Sequence, residues 1–479
     1  MRPTRPISTS HPSHSRRAWA LWLLGPGWLL LTGCAGPPPP TSLLLVTVDT
    51  MRADHLGAYG YRRSTSPRMD ALAREGVLFE RAYTTVPRTT QSVASLLTGL
   101  YPKQNRARGL FSVLPPGNTT LAEILKSKGY NTWAVVSNIF LQPGKGFEQG
   151  FDTYSNPRSR FEGDSSTQIT DEALETLQGA GARPFFLWVH YLDPHWTYAP
   201  QGEFATKFDP DYRPTPAMQE LEAGKLTKGD IIFHNDLSPG DRHHLEALYD
   251  GEIAQVDAAI GRLLDGIPPT VRSRLLVVLA SDHGESLCEH DYCYAHGENL
   301  YDDTLRVPLI LVLPGSIRRG QRFAGNVSLI DVAPTILRLL GMGDRPGMDG
   351  IPLFPLGSDV PQPSPGREFL FAETDYQLIH SANPRFFIPG VKGRWSGART
   401  DAQKLIRIPH PDGALKEAFN LAVDPGERNP LSVSQITQGE ALSGALEGWT
   451  DYQEGAGENL EDSLTPEQRD KLRSLGYLQ

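Results

Sequence analysis

The chain has 479 residues, 39% apolar and 21% charged, with a formal net charge of −9 and three cysteines. That length allows one large domain with a smaller companion, or three modest ones, around a sizeable core. The acidic balance argues against a polyanion-binding surface, so nucleic acid is not expected as a partner.

Arg16 and Arg17 precede Ala18 to Leu31, an apolar run too short for a comfortable membrane span, which reads as an export signal. It closes on Leu31-Thr32-Gly33-Cys34, which resembles the bacterial lipoprotein cleavage box, in which the cysteine is lipidated and becomes the mature N-terminus. The alternatives are a plain secretory signal or a poor membrane anchor. Residues 1–33 are then the signal and 34–42 a stiff tether built on Pro37 to Pro40. The expected location is the cell envelope, periplasm or outer membrane, with a lipid anchor at Cys34.

Leu43 to Val48 is a continuous apolar, β-rich run, as in a strand covered on both faces, and it stops at Asp49. Ser66-Pro67, then Met69, Leu72 and Ala73, closed by Gly76, reads as cap, first-turn proline, apolar stripe and terminator. A polar turn at Val86 to Thr90 runs into a short helix whose apolar face is Val93, Leu96 and Leu97 and which ends at Gly99. A hydroxyl at that helix start, Thr89, meets unpaired N–H groups and a positive dipole end that favour a tetrahedral anion; alternatively Thr89 or Thr90 serves only as the cap. Thr120-Leu121-Ala122-Glu123 is a capping box opening a helix that ends at Gly129.

Three more buried strands follow, Trp133 to Val136, Phe185 to Val189 and Leu275 to Ala280. Each runs straight into polar residues: Ser137-Asn138; His190 through Asp193-Pro194-His195; and Ser281-Asp282-His283-Gly284. In an open parallel sheet ligands bind beyond the carboxyl ends of the strands, so these groups and Asp49 are expected to converge. Gln201 to Asp241 reads as an excursion or lid. His243 to Leu264 is helical, Val307 to Leu313 a strand, and Asp331 to Leu340 a helix closed by Gly341. Cys288 and Cys293 suit a loop-closing disulfide, or less readily a metal pair with His290. Proline and glycine from Arg345 to Gly366 mark a boundary. Beyond it, strand candidates Glu368 to Ala372 and Lys404 to Ile408 and a helix at Thr465 to Leu475 suggest a small antiparallel sheet with a flanking helix. The expected layout is a catalytic domain over 43–345 and a C-terminal α+β subdomain over 346–479, the larger built on a mixed, mostly parallel sheet flanked by helices.

Asp49, Thr89, Asp282 and His283 supply two carboxylates, a hydroxyl and an imidazole, a set that can hold one divalent cation. Its role would be to lower the pKa of the hydroxyl and neutralise an ester oxygen. Mixed oxygen and nitrogen ligation favours zinc or manganese, with calcium also possible. His195 and His296 are placed to touch the substrate or protonate its leaving group, with Asn138 as an oxyanion donor. Asp193, His195 and His296 could alternatively hold a second metal. His190 and His290 are as readily structural as functional.

The order of these segments resembles the sulfatase family of the alkaline phosphatase superfamily. Asp49 to Gly60 resembles its opening metal motif, Ala94 to Pro102 the helix after its nucleophile, and Ser281-Asp282-His283-Gly284-Glu285 its second metal motif. Leu300 to Leu309, Leu329 to Thr335 and Phe419 to Asn429 resemble later family segments. The resemblance implies an alkaline phosphatase-like fold and hydrolysis of a small anionic ester. It also places Thr89 where sulfatases carry the cysteine or serine that becomes formylglycine, an aldehyde threonine cannot form. Gln91 and Val93 replace the proline and arginine of the modification signature, and Thr50 replaces the second aspartate of the opening pair. The sulfate-contacting lysine and histidine give way to Ser137 and Asn138. A threonine ester must be cleared by water at the sulfur or phosphorus itself, which favours phosphodiester or phosphonate chemistry. Arylsulfatase-like hydrolysis, transfer of a phosphoethanolamine or glycerol-phosphate head group, and an inactive binding protein are the alternatives.

Overall fold

The apolar run at the start of the folded body becomes β1 (Ser42–Val48), and burial on both faces explains its composition. Leu43 and Leu45 enter one core while Leu44, Val46 and Val48 enter the other. The chain is seen in a computed structural model that describes residues 41–157, 165–222, 237–360, 367–375, 393–410 and 413–450. The expected signal lies outside the described residues, as do all but the last two residues of the tether and the whole helix expected at Thr465 to Leu475. Among the described residues no helix is long and apolar enough to cross a membrane.

Further strands are β2 (Val77–Tyr83), β3 (Asn131–Val136), β4 (Thr153–Ser155), β5 (Phe185–Tyr191), β6 (Leu275–Ser281), β7 (Leu309–Val312) and β8 (Gln321–Ser328). They form a sheet in the order β8-β2-β7-β6-β1-β5-β3-β4, with Arg306–Val307 also paired to β2. Only β7 and that short strand run antiparallel to their neighbours. One face is covered by α1 (Pro67–Glu75), α4 (Ser165–Gln178) and α5 (Pro239–Gly266), the other by α2 (Thr89–Thr98), α3 (Leu121–Ser127) and α6 (Val332–Leu339). This is the mixed, mostly parallel α/β architecture expected.

Local chemistry sets several boundaries. The run from Val307 to Leu313 is broken at Pro308, which has no N–H to donate to a ladder, so Arg306–Val307 pairs with β2 before β7 begins. The Thr120 and Glu123 capping box opens α3 as expected. Ser66 stands at the cap position of α1 but does not cap it: its hydroxyl donates to Asp70 and accepts from the Gly57 N–H, both at 2.9 Å. The first amides of α1, on Arg68 and Met69, donate instead to Asp257 of α5 at 3.0 and 2.8 Å. β2, β8 and α4 were not anticipated: Glu80-Arg81 interrupts β2, β8 carries no strong apolar period, and the helical stripe of α4 (Ile169, Ala173, Leu174, Leu177) is set among polar residues.

A second, antiparallel sheet has the order β9 (Leu370–Asp375), β10 (Arg394–Arg399), β11 (Gln403–His410), β12 (Gly413–Asn420), backed by α7 (Gly439–Thr450). It docks through Trp395, Ile406 and Phe419, which share a core with Tyr83, Tyr292, Leu300 and Leu305. Cys288 and Cys293 are joined by a disulfide that closes the loop of a small hairpin.

Candidate active site

Strands β1, β5, β6 and β3 end at one edge, and their register brings their polar residues together. Thr47 pairs with His190 and with Ala280, and Val48 with Tyr191 and Ser281. Asp49 and Asp282 therefore leave the sheet side by side: the Asp49 N–H donates to the Tyr191 carbonyl at 2.9 Å and the Asp282 N–H to that of Val48 at 3.3 Å. One strand further on, the Ser137 N–H donates to the His190 carbonyl at 3.0 Å, which sets Asn138 at the same rim.

Helix α2 approaches from the other side, tied to the end of β6 by Ser92 Oγ, which donates to the Asp282 carbonyl at 2.6 Å. Neither threonine at its start is a cap. Arg88 holds the cap position without a side-chain bond, and Thr90 Oγ1 donates to the Leu110 carbonyl at 2.9 Å. Thr89 Oγ1 lies 3.4 Å from His283 Nε2 and 3.4 Å from Asn138 Nδ2. The side-chain oxygen Oδ1 of Asn138 accepts the Phe140 N–H at 2.8 Å, so its NH2 faces the site, where it also donates to Asp49 Oδ2 at 2.5 Å.

Asp49, Asp282 and His283 have no solvent exposure. The Gly284 carbonyl, 3.0 Å away, holds the proton of His283 on Nδ1, and burial, outweighing Asp49, pushes the ring below the usual imidazole range. Its Nε2 lone pair thus faces Asp49 Oδ1 at 3.7 Å and Asp282 Oδ2 at 3.5 Å. Three acceptors turned on one another away from water form a set that a cation between them would satisfy. Burial and the Asp49 charge push the Asp282 carboxyl well up; Asp49, which burial alone would also raise, is carried low by His190, His195 and His283.

His190, which the sequence left between a structural and a functional role, joins this group. Its Nε2 is 3.5 Å from Asp49 Oδ2 and its Nδ1 2.8 Å from Thr47 Oγ1, which also accepts from the Trp188 indole at 2.9 Å. Asp49, His190 and Asp282 offer ligand atoms all within 4.8 Å of one another, the one such group among the described residues. Asp49 Oδ1, His190 Nε2 and Asp282 Oδ2 are buried without hydrogen-bond partners, as atoms reserved for a metal ion should be. The signal available in the sequence was positional: His190 is a lone polar ring near the end of Phe185–Tyr191.

His195 and His296 line the same pocket. Their ring centroids are 5.1 Å apart, and His296 is 4.4 Å from His283. His195 Nδ1 donates to the Trp196 carbonyl at 2.6 Å, and His296 Nδ1 is 2.9 Å from Glu285 Oε1. Nδ1 of each ring is thereby engaged. Asp193 is engaged by the hydroxyls of Ser165 and Ser166, and His290 stacks on Tyr301 at 3.6 Å. Thr50, directly after Asp49, is held at φ 51° by the Tyr249 hydroxyl on its carbonyl and by Asp282 on its N–H. A β-branched residue there costs on the order of 1–2 kcal/mol, strain of the kind concentrated at functional sites.

Residues 41–342 match the family model described as Sulfatase, and residues 289–443 that of the N-sulphoglucosamine sulphohydrolase C-terminal region. The chain is 26% identical to a multifunctional alkaline phosphatase superfamily protein, PehA, of Trinickia caryophylli, over 72% of this chain and 82% of that one. Its fold resembles that of BT4656, solved with its substrate D-glucosamine-2-N,6-O-disulfate, with a TM-score of 0.70, 20% identity and coverage of 86% and 97%. It also resembles the phosphonate monoester hydrolase of Agrobacterium radiobacter, with a TM-score of 0.68, 22% identity and coverage of 85% and 94%. The chain thus belongs to the sulfatase family and is a hydrolase of anionic ester bonds.

Proposed function

We propose that Thr89 is the nucleophile of a metal-dependent hydrolase that prefers phosphodiesters or phosphonates to sulfate esters. The observation that carries this reading is the position of Thr89 Oγ1, at the start of α2 and 3.4 Å from both His283 Nε2 and Asn138 Nδ2. Asp49, His190, Asp282 and His283, with Thr89, would hold the metal, zinc or manganese before calcium given the mixed ligand set. When bound, a divalent ion there would favour the threonine alkoxide and neutralise charge on the ester.

The protein's own groups do the rest. The first-turn amides of α2 and the Asn138 NH2 receive negative charge on the non-bridging oxygens. Thr89 Oγ1 passes its proton to His195 or His296 and bonds to phosphorus or sulfur as the bond to the leaving oxygen breaks, and the imidazolium so formed returns a proton to that oxygen. Water then attacks the same centre and releases Thr89, because a threonine ester has no aldehyde to collapse to. This step favours phosphorus.

Thr89→Ala should lower kcat/KM by more than about a thousandfold, whereas Thr89→Ser should retain measurable turnover. Metal analysis of both variants separates loss of the nucleophile from loss of the ion. A panel of nitrophenyl sulfate, phosphate, phosphodiester and phosphonate esters tests the preference; fastest turnover of the sulfate, abolished by Thr89→Ala, would make the arylsulfatase reading the correct one.

A further inference from the structure

Lys145 is a buried cation with no counter-ion among the described residues. It is only 8% exposed, yet among the described residues the partner of its ammonium is the Phe111 carbonyl, at a long 3.5 Å. Burial pushes it below the usual lysine range. Other buried cations of this molecule are paired: Arg88 with Glu298, Arg399 with Asp302, Lys404 with Asp302 and Glu427. An ammonium taken out of water without an anion is expensive to keep.

Its surroundings lead to the helix that carries Thr89. The Lys145 carbonyl accepts the Leu114 N–H at 2.9 Å. The segment leading to Leu114 leans on the first turn of α2, where Leu110 and Arg108 carbonyls accept from Thr90 and Gln91 at 2.9 and 3.2 Å. Phe111 in that segment packs edge-on against Phe140, whose N–H holds the Asn138 side chain. The backbone at the lysine is closely set, because Gly144 and Gly146 on either side have φ +89° and +84°, and a Cβ on Gly146 would fall 2.2 Å from the Leu114 carbonyl oxygen.

We propose that Lys145 binds a second anionic group of the substrate, beyond the reacting ester, so that preferred substrates carry a further carboxylate, sulfate or phosphate. This rests on the hydrolase reading above for the position of the first anion. Lys145 stands outside the reacting centre and takes no part in the bond changes; it selects by charge.

The test uses a matched pair, 4-nitrophenyl phenylphosphonate and its analogue with a carboxylate on the phenyl ring, together with the two product phosphonates as equilibrium ligands. The wild-type protein should favour the carboxylated ester by about tenfold in KM and bind the carboxylated product correspondingly tighter. Lys145→Met should erase both preferences and leave kcat/KM for the plain ester within about threefold, while Lys145→Arg should keep them. Equal losses on both esters in Lys145→Met, or no preference in the wild type, would overturn the proposal. A protein that turns over neither ester but binds the carboxylated product through Lys145 would overturn the hydrolase reading and uphold this one. Turnover of both esters without discrimination would do the reverse.

Discussion

His190 shows how a residue's burial decides its chemistry. Its ring has no solvent exposure, and its Nδ1 is held by a hydroxyl that an indole also holds in place, so its orientation is fixed before any ligand arrives. His190→Ala should weaken metal retention by at least about tenfold, read by metal analysis after dialysis against chelator, with the fold intact by circular dichroism. Asp49, Thr89, Asp282 and His283 could be picked out in the sequence because each follows a strand or opens a helix, where a polar residue interrupts an apolar pattern. His190 could not be separated from a packing residue, since its neighbours in the chain are apolar and its partners, Thr47 and Asp49, come from another strand. Lys145 is the opposite case, unremarkable in a glycine-flanked loop and unusual only once its surroundings are known. Lys145→Met should raise the melting temperature by a few degrees, because removing an uncompensated buried charge outweighs the single long hydrogen bond lost.

At the scale of elements, α1 depends on a residue almost two hundred positions away. Asp257 receives the amides of Arg68 and Met69, and burial pushes its carboxyl up to about 6, against those two hydrogen bonds. The unfolded carboxyl titrates near 4. Between these values the folded protein keeps a proton that the unfolded chain has lost, so stability falls as pH rises from about 4 to about 6, by on the order of 2–3 kcal/mol. Asp257→Asn should flatten that segment of the profile, as followed by urea unfolding across the range. Such a cap supplied from another helix leaves no local trace, which is why Ser66 looked like the cap. The capping box at Thr120, a contact between near neighbours, was legible for the same reason. Strands buried on both faces announced themselves by continuous Leu, Val and Ile, whereas β8 (Gln321–Ser328), with its half-exposed, polar residues, did not.

For the whole molecule, the second sheet belongs to the site's support. The Glu373 N–H donates to the Thr85 carbonyl at 2.9 Å and the Glu373 carboxylate pairs with Arg108, so β9 braces the loop that delivers Thr89. The sequence showed that a C-terminal sheet exists but yielded two of its four strands, since short amphipathic strands carry little periodic signal. We propose that this body is tethered to a bacterial membrane through lipidated Cys34, a reading supported by the basic and apolar stretch before it. Cys34→Ala should move the protein from the membrane to the soluble envelope fraction, read by detergent partitioning of fractionated cells.

Asp49, His190, Asp282 and His283, the side chains proposed to hold the metal from the sheet, ride on strand ends locked into the middle of the main sheet, and none of these four touches solvent. A cation held there would enter or leave only when that edge opens locally, so its exchange would be gated by the protein's breathing rather than by diffusion. Protein folded in the presence of metal should hold its ion through hours of gel filtration, and protein folded without it should charge slowly, making the moment of folding the natural time for loading.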